Sequence, residues 1–295
     1  KLSELIVLEK QVLLFSKSGF GKSSLLNAGV IPRLKEVEKF QTLNIRLNDL
    51  ERNPVELLNF YLKAKGKEND FLNSKFNIPN ELKDDNAAIL WYHAKSIQLA
   101  QREAPAFVLF FDQFEELFNY NKSEIEDFGR QIASLLNPHL PEKVRKLFQQ
   151  KMEASKDYFT EAEIALLLAP LNLKVVLSLR SDRISLLNQL KGSIPAIFKK
   201  TYELQPLKKD QALEALLEPA QKQGDFASFP FIYSEDAKGL ILSSLKDKEH
   251  QRIEAFQLQL ICQHVEEQII QKQTVNPQVE LEVTASWLGE PQAIF

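Results

Sequence analysis

Five short apolar runs punctuate this chain, and between them apolar residues recur every three or four positions. The runs are Val12–Phe15, Leu43–Leu47, Phe107–Phe111, Leu173–Leu179 and a weaker one at Thr201–Leu204. Leu43–Leu47 alternates as a half-buried strand does. Phe107–Phe111 and Leu173–Leu179 are continuous, as in strands covered on both faces. The intervening spacing predicts helices. Lys1–Lys10 carries Leu2, Leu5, Ile6 and Leu8; Asn53 and Pro54 supply an N-cap and first-turn proline for a helix through Leu62. Asn86–Arg102 places Ile89, Leu90, His93, Ile97 and Leu99 largely on one face, with His93 read as a packed histidine, and Ile125–Leu168 is mostly helical. Polar Lys63–Asp85 predicts a loop with room for one helical turn. Strands alternating with helices predict a parallel α/β sheet that receives ligands at the carboxyl ends of its strands.

After Pro206 the pattern changes. Leu207–Lys222, Ser234–Leu245 and Phe256–Gln271 read as helices without strong strands between them, and Val279–Val283 alternates briefly before the chain stops at Phe295. The expected organisation is a sheet domain over 1–205, a helical lobe over 206–273 and a C-terminal piece over 274–295.

Composition narrows the choices. The 295 residues carry 37 Lys+Arg against 40 Asp+Glu, a net of −3, with no basic cluster of the kind that marks a nucleic-acid surface. The lone Cys262 sits in an apolar run, excludes an internal disulfide and reads as a small buried thiol in a reducing compartment. The longest apolar stretch, near Ile164–Leu171, is too short to span a bilayer. The chain opens at Lys1 without Met or a signal peptide and reads as a piece of a longer cytoplasmic protein.

The chemistry concentrates behind the first strand. Ser18-Gly19-Phe20-Gly21-Lys22-Ser23-Ser24 follows Val12–Phe15 and opens an amphipathic segment, the strand–loop–helix context of a phosphate-binding loop. Backbone N–H groups of such a loop, aided by the helix dipole, converge on an anion, and Gly19 and Gly21 let the backbone come close. Lys22 is placed for β- and γ-phosphates, and the Ser23 hydroxyl for Mg²⁺. Ser16 stands where the full pattern has glycine. The loop helix is expected to run from Lys22 to about Ala28 and to end at Gly29, with Pro32 shortly after.

Two further strand ends carry charge. Asp112 follows Phe107–Phe111 and can hold a Mg²⁺ bridging two phosphates. Glu115 and Glu116 are both candidates to orient an attacking water, inseparable without the turn that follows Asp112; the plain alternative is acidic residues at a helix start. Arg180 ends Leu173–Leu179, where a guanidinium can reach a γ-phosphate. Arg183 can act across a subunit boundary, or both arginines can simply form a solvated cluster with Asp182.

Taken together, Ser18–Leu34, Phe110–Phe118 and Val175–Arg183 resemble the NTPase module of the STAND class, closest to its bacterial novel-STAND branch and related to NACHT and NB-ARC modules. Leu204-Gln205-Pro206-Leu207, Leu217-Glu218-Pro219-Ala220 and Phe256–Cys262 are similar to its helical lid, although Glu254-Ala255-Phe256 stands where a lid proline is expected. The resemblance implies an AAA+/STAND-like P-loop NTPase sheet flanked by helices and followed by an all-α lid. It implies ATP/ADP with Mg²⁺ held by Ser23 and Asp112, hydrolysis by Glu115, Glu116 and Arg180, and self-association through the NTPase module. It further implies sensor and effector domains outside this stretch and a role in bacterial signalling or defence. An AAA+-type motor or DNA loader and a nucleotide-locked scaffold without turnover are the alternatives.

Overall fold

β1 (Gln11–Ser16) lies inside a sheet with a strand on either side, and its Val12, Leu13 and Leu14 are buried, as in a strand covered on both faces. The computed structural model of the chain describes residues 1–66, 69–76, 81–100, 106–224, 227–245, 253–275 and 281–289. Its main sheet has the order β2-β3-β4-β1-β5, with β2 (Gln41–Ile45), β3 (Phe107–Phe111), β4 (Leu173–Arg180) and β5 (Thr201–Glu203). Every pairing is parallel, so all five strands finish on one edge. The register sets Ser16 opposite Arg180 and lines up Ile45, Phe111 and Leu177. The expected parallel α/β sheet is therefore observed.

The flanking helices are α1 (Leu2–Leu8), α2 (Lys22–Ser24), α3 (Ile31–Glu36), α4 (Pro54–Lys65), α5 (Asp70–Phe76), α6 (Asn86–Ala100), α7 (Lys122–Leu136), α8 (Glu142–Ala154) and α9 (Glu161–Leu168). Asn53 caps α4 as its sequence predicts, its side-chain oxygen accepting from the Val55 N–H at 2.8 Å. His93 is half-buried, and burial, followed by the charge of Lys63, lowers its pKa to about 4; it is a neutral packing residue.

Three local expectations are corrected. The loop helix does not end at Gly29: a π-helical turn over Leu25–Val30 joins α2 to α3, and the helical path continues to Glu36. The Ile31 N–H reaches back to the Leu26 carbonyl, five residues away. This wider turn absorbs the break in the ladder made by Pro32, which has no N–H. The polar stretch holds a helix of two turns, α5, because Leu72 and Phe76 find the core. β2 also begins two residues earlier than its alternation suggested. For the helix read as Asn86–Arg102, Gln101 and Arg102 lie outside the described residues.

The turn after β3 is fixed by aromatic packing. Phe111, Phe114 and Phe128 are fully buried, and Phe111 meets Phe114 and Phe128 edge-on at centroid distances of 5.7 and 5.6 Å. Each buried phenyl contributes roughly 1.5–3 kcal/mol. Phe114 thereby anchors a 3₁₀ turn, Phe114–Asn119, that carries Glu115 and Glu116, while Gln113 turns the chain in a left-handed conformation (φ 56°).

Contacts divide the chain into two units: Lys1–Ser16 with Lys22–Glu203, and Lys17–Gly21 with Leu204–Phe295. The second unit holds α10 (Lys209–Gln221), β6 (Ile232–Tyr233), α11 (Glu235–Leu245), α12 (Ala255–Val275), β7 (Glu282–Val283) and α13 (Ala285–Leu288). It has its own core, including Leu216, Phe231, Ile241, Leu258, Ile261 and Val265. It is helical as expected, with the addition of a two-residue parallel ladder between β6 and β7. Residues 279 and 280 of the alternating stretch lie outside the described residues, and Glu282–Val283 form the ladder. Cys262 is half-buried there, its thiol pushed up to about 11 by desolvation and then by Glu266.

Candidate functional site

The carboxyl edge of the sheet gathers Ser16, Arg46, Asp112 and Arg180 from four neighbouring strands. Lys22 opens α2, and its Nζ donates to the Ser16 hydroxyl at 3.2 Å and to the Ser16 carbonyl at 3.4 Å. Burial lowers the Lys22 pKa; Glu115 and then Asp112 pull it back up, while Arg180 adds to the lowering. Ser23 is half-buried beside it and Ser24 exposed.

Lys17–Gly21 belongs to the second unit. Gly19 and Gly21 have φ of 80° and 82°, the left-handed region that a side chain strains to enter. A Cβ on Gly21 would stand 3.3 Å from the Ala255 Cβ, and the Phe256 N–H donates to the Gly19 carbonyl at 3.2 Å. Ser18 is exposed and Phe20 half-buried.

Asp112 is 1% exposed. Its backbone N–H continues the β2–β3 ladder to the Ile45 carbonyl at 3.1 Å. One carboxylate oxygen accepts from the Ser178 hydroxyl at 3.3 Å, and the other from Arg46, also at 3.3 Å. Glu115 and Glu116 follow on the 3₁₀ turn, each with a buried Oε2 that has no hydrogen-bond partner among the described residues. Desolvation raises the Glu116 pKa; Arg46 opposes this, and Glu115 and Asp112 reinforce it. The two glutamates are thus distinguishable: Glu115 is the largest carboxylate influence on Lys22, and Glu116 lies in the field of Arg46.

Arg180 ends β4 at the expected edge but is engaged with Asp182 through two bonds of 3.0 and 2.8 Å. Arg183 also reaches Asp182, at 3.8 Å. Arg46 and Ser178 are the two polar residues that the sequence reading passed over. Arg46 follows a strand run just as Arg180 does, a signal that was present, whereas Ser178 is an interior strand residue with none.

This donor set suits a nucleotide-borne metal. Among the described residues no group of three or more His, Cys, Asp or Glu forms a cage that could hold an ion alone. Mg²⁺ is commonly held by one or two side chains together with substrate phosphates. Asp112 and Ser23 can supply such a share.

The model of the family Novel STAND NTPase 1 matches residues 1–228. The chain belongs to this family. It is accordingly a P-loop NTPase, whose class binds nucleotide, typically with Mg²⁺. No curated protein matches it by sequence. Among solved structures it is similar to the ORC1 protein of Aeropyrum pernix in complex with DNA, at 12% identity and a TM-score of 0.54. That match covers 99% of this chain and 63% of ORC1, so this novel STAND NTPase spans less than two thirds of that protein's length. It is also similar to the ORC2 protein of Aeropyrum pernix, solved as ADPNP–ADP complexes, at 9% identity and a TM-score of 0.51, covering 99% of this chain and 66% of ORC2. These likenesses give the fold alone, a parallel sheet flanked by helices. Among the described residues no helix is long and apolar enough to cross a membrane.

Proposed function

We propose that this novel STAND NTPase is an ATP-binding, slowly hydrolysing switch of bacterial signalling or defence, in which nucleotide state sets closure of the helical lid and self-association. The observation that carries the reading is that Lys22, bonded to Ser16 at the end of β1, and Asp112, at the end of β3, stand at the same carboxyl edge of the parallel sheet. The amides of Ser18 to Ser24 bind the phosphate tail, and Lys22 leaves Ser16 to neutralise its β- and γ-oxygens. Mg²⁺, when bound, supplies further neutralisation of the phosphate charge, held from the protein side by Ser23 and Asp112.

Glu116 orients the water and accepts its proton. A raised pKa favours that task, and Glu115 is left to balance Lys22. Arg180 turns from Asp182 to the γ-phosphate at small cost, because an exposed ion pair is worth about 0–1 kcal/mol. Inversion of a 1:99 equilibrium needs about 5.5 kcal/mol. A few charge-assisted bonds of roughly 1.5–3 kcal/mol each supply it.

The lid connection is supported by the bond from the Phe256 N–H to the Gly19 carbonyl, which ties α12 to the loop that nucleotide occupies. Calorimetry of Lys22→Ala with Mg-ATP tests the site: a loss of at least about 100-fold in affinity is expected, given charged hydrogen bonds of about 1.5–3 kcal/mol. Unchanged affinity rules the loop assignment out.

A further inference from the structure

The Asp112 carboxylate is enclosed, and Arg46 is its one ion-pair partner among the described residues. Arg46 sits one residue past β2, beside the carboxyl end of β3, with its side chain 45% exposed. The pair is therefore built from one fixed partner and one that can leave. Asp112 is pinned by Ser178 and by the fully buried strand before it, whereas the guanidinium has open solvent on its other side.

The contact is also single. One Nη2 reaches Asp112 Oδ2 at 3.3 Å, without the two-pronged grip a guanidinium makes on a carboxylate when geometry favours it. Removing a buried carboxylate's ion-pair partner is costly. A protein that must stand without metal and then receive it at the same oxygens thus needs a counterion that can withdraw.

We propose that Arg46 is this exchangeable counterion: it neutralises Asp112 when no metal is bound and competes with the divalent cation for the same carboxylate. The inference rests on the nucleotide-site reading above. Two cations crowded on one carboxylate repel each other, so metal loading favours release of Arg46. Released, the guanidinium stays in the field of Glu116. Arg46 thereby makes metal binding weaker than the carboxylate alone would allow, and couples it to a movement of charge toward the water-orienting glutamate. It acts through Asp112 and is a positioning residue.

The test is a Mg²⁺ titration of the binding of a non-hydrolysable ATP analogue, read by calorimetry, with parallel thermal melts. In Arg46→Gln the half-saturating Mg²⁺ should fall about tenfold, while analogue affinity in EDTA stays within about twofold. The metal-free melting temperature should drop and the metal-loaded one should not. Arg46→Lys, which keeps the charge on a differently shaped head, should shift the midpoint less and serves if the glutamine variant folds poorly. Arg52→Gln removes a positive charge that is paired with Asp49 and not with Asp112, and should leave the midpoint in place. An unchanged or raised midpoint in both Arg46 variants overturns the inference while leaving the nucleotide site intact. Failure of the unmodified protein to bind the analogue with Mg²⁺ overturns the site reading and this inference together.

Discussion

The Lys22 ammonium rests 3.2 Å from the hydroxyl of Ser16, the residue that occupies the position where the loop pattern has glycine. Ser16 closes β1 and is 1% exposed, so its hydroxyl is a fixed acceptor. Lysine must give up this bond to reach phosphate, and the serine therefore opposes binding by stabilising the free state. A hydrogen bond to a charged group is worth about 1.5–3 kcal/mol, and 1.4 kcal/mol is a factor of ten. Ser16→Ala is expected to tighten ADP binding by about tenfold, measured by calorimetry. Weaker binding would mean that the hydroxyl helps to hold the bound state instead.

Gly21 is constrained twice, by its φ of 82° and by an Ala255 Cβ that would lie 3.3 Å from its own. Left-handed backbone costs an ordinary residue roughly 1–2 kcal/mol. In Gly21→Ala that cost falls on the loop and not on the sheet. A modest fall in thermal stability should accompany a loss of ADP affinity of at least tenfold. Normal affinity in this variant would show that the loop does not carry the phosphates.

The sheet was largely legible because strands covered on both faces must be apolar throughout, and Phe107–Phe111 and Leu173–Leu179 offer no other reading. The turn before α2 was legible for a different reason: Gly19 and Gly21 take φ of 80° and 82°, a backbone region that favours glycine. What escaped depends on distant partners. Pro32 looked like a stop, but a π turn bridges it. The polar stretch concealed Leu72 and Phe76, which become core residues only once the sheet exists. The separate placements of Glu115 and Glu116 depend on a 3₁₀ turn fixed by Phe114 against Phe128, 14 residues on, which no local pattern reveals.

Lys95 yields a stability prediction. It is fully buried, and its ammonium donates to the Ala169 carbonyl at the end of α9 at 2.7 Å. Desolvation lowers its pKa from 10.5 to about 8. The unfolded chain holds this proton more tightly than the fold does. The resulting penalty is complete below about pH 8 and relieved as pH rises toward 10.5. At 1.36 kcal/mol per pKa unit, about 3 kcal/mol should be recovered across that window. Lys95→Met removes the titrating group, so the stability of the unmodified protein relative to this variant should climb over that range in denaturant melts. A flat difference would mean that the ammonium is solvated.

The glutamate pair gives the sharpest division between a hydrolase and a nucleotide-locked scaffold. Glu116 has a carboxyl raised by desolvation, which strengthens it as a proton acceptor, and Glu115 contributes to the field that favours a charged Lys22. Positioned acid–base groups typically contribute about 10²–10⁴ in rate. Glu116→Gln should slow single-turnover hydrolysis by that order with ATP affinity little changed, and Glu115→Gln should chiefly weaken binding. The raised pKa supplies an independent check. Between the unfolded value of 4.5 and the higher folded value the native state holds more of this proton, so its ionisation costs stability as pH rises through that window. Glu116→Gln should therefore melt above the unmodified protein at pH 7, and the gap should close below pH 4.5, where both carboxyls are neutral. If the gap is seen but neither substitution alters hydrolysis, the desolvated carboxylate is real and the water is oriented by another group.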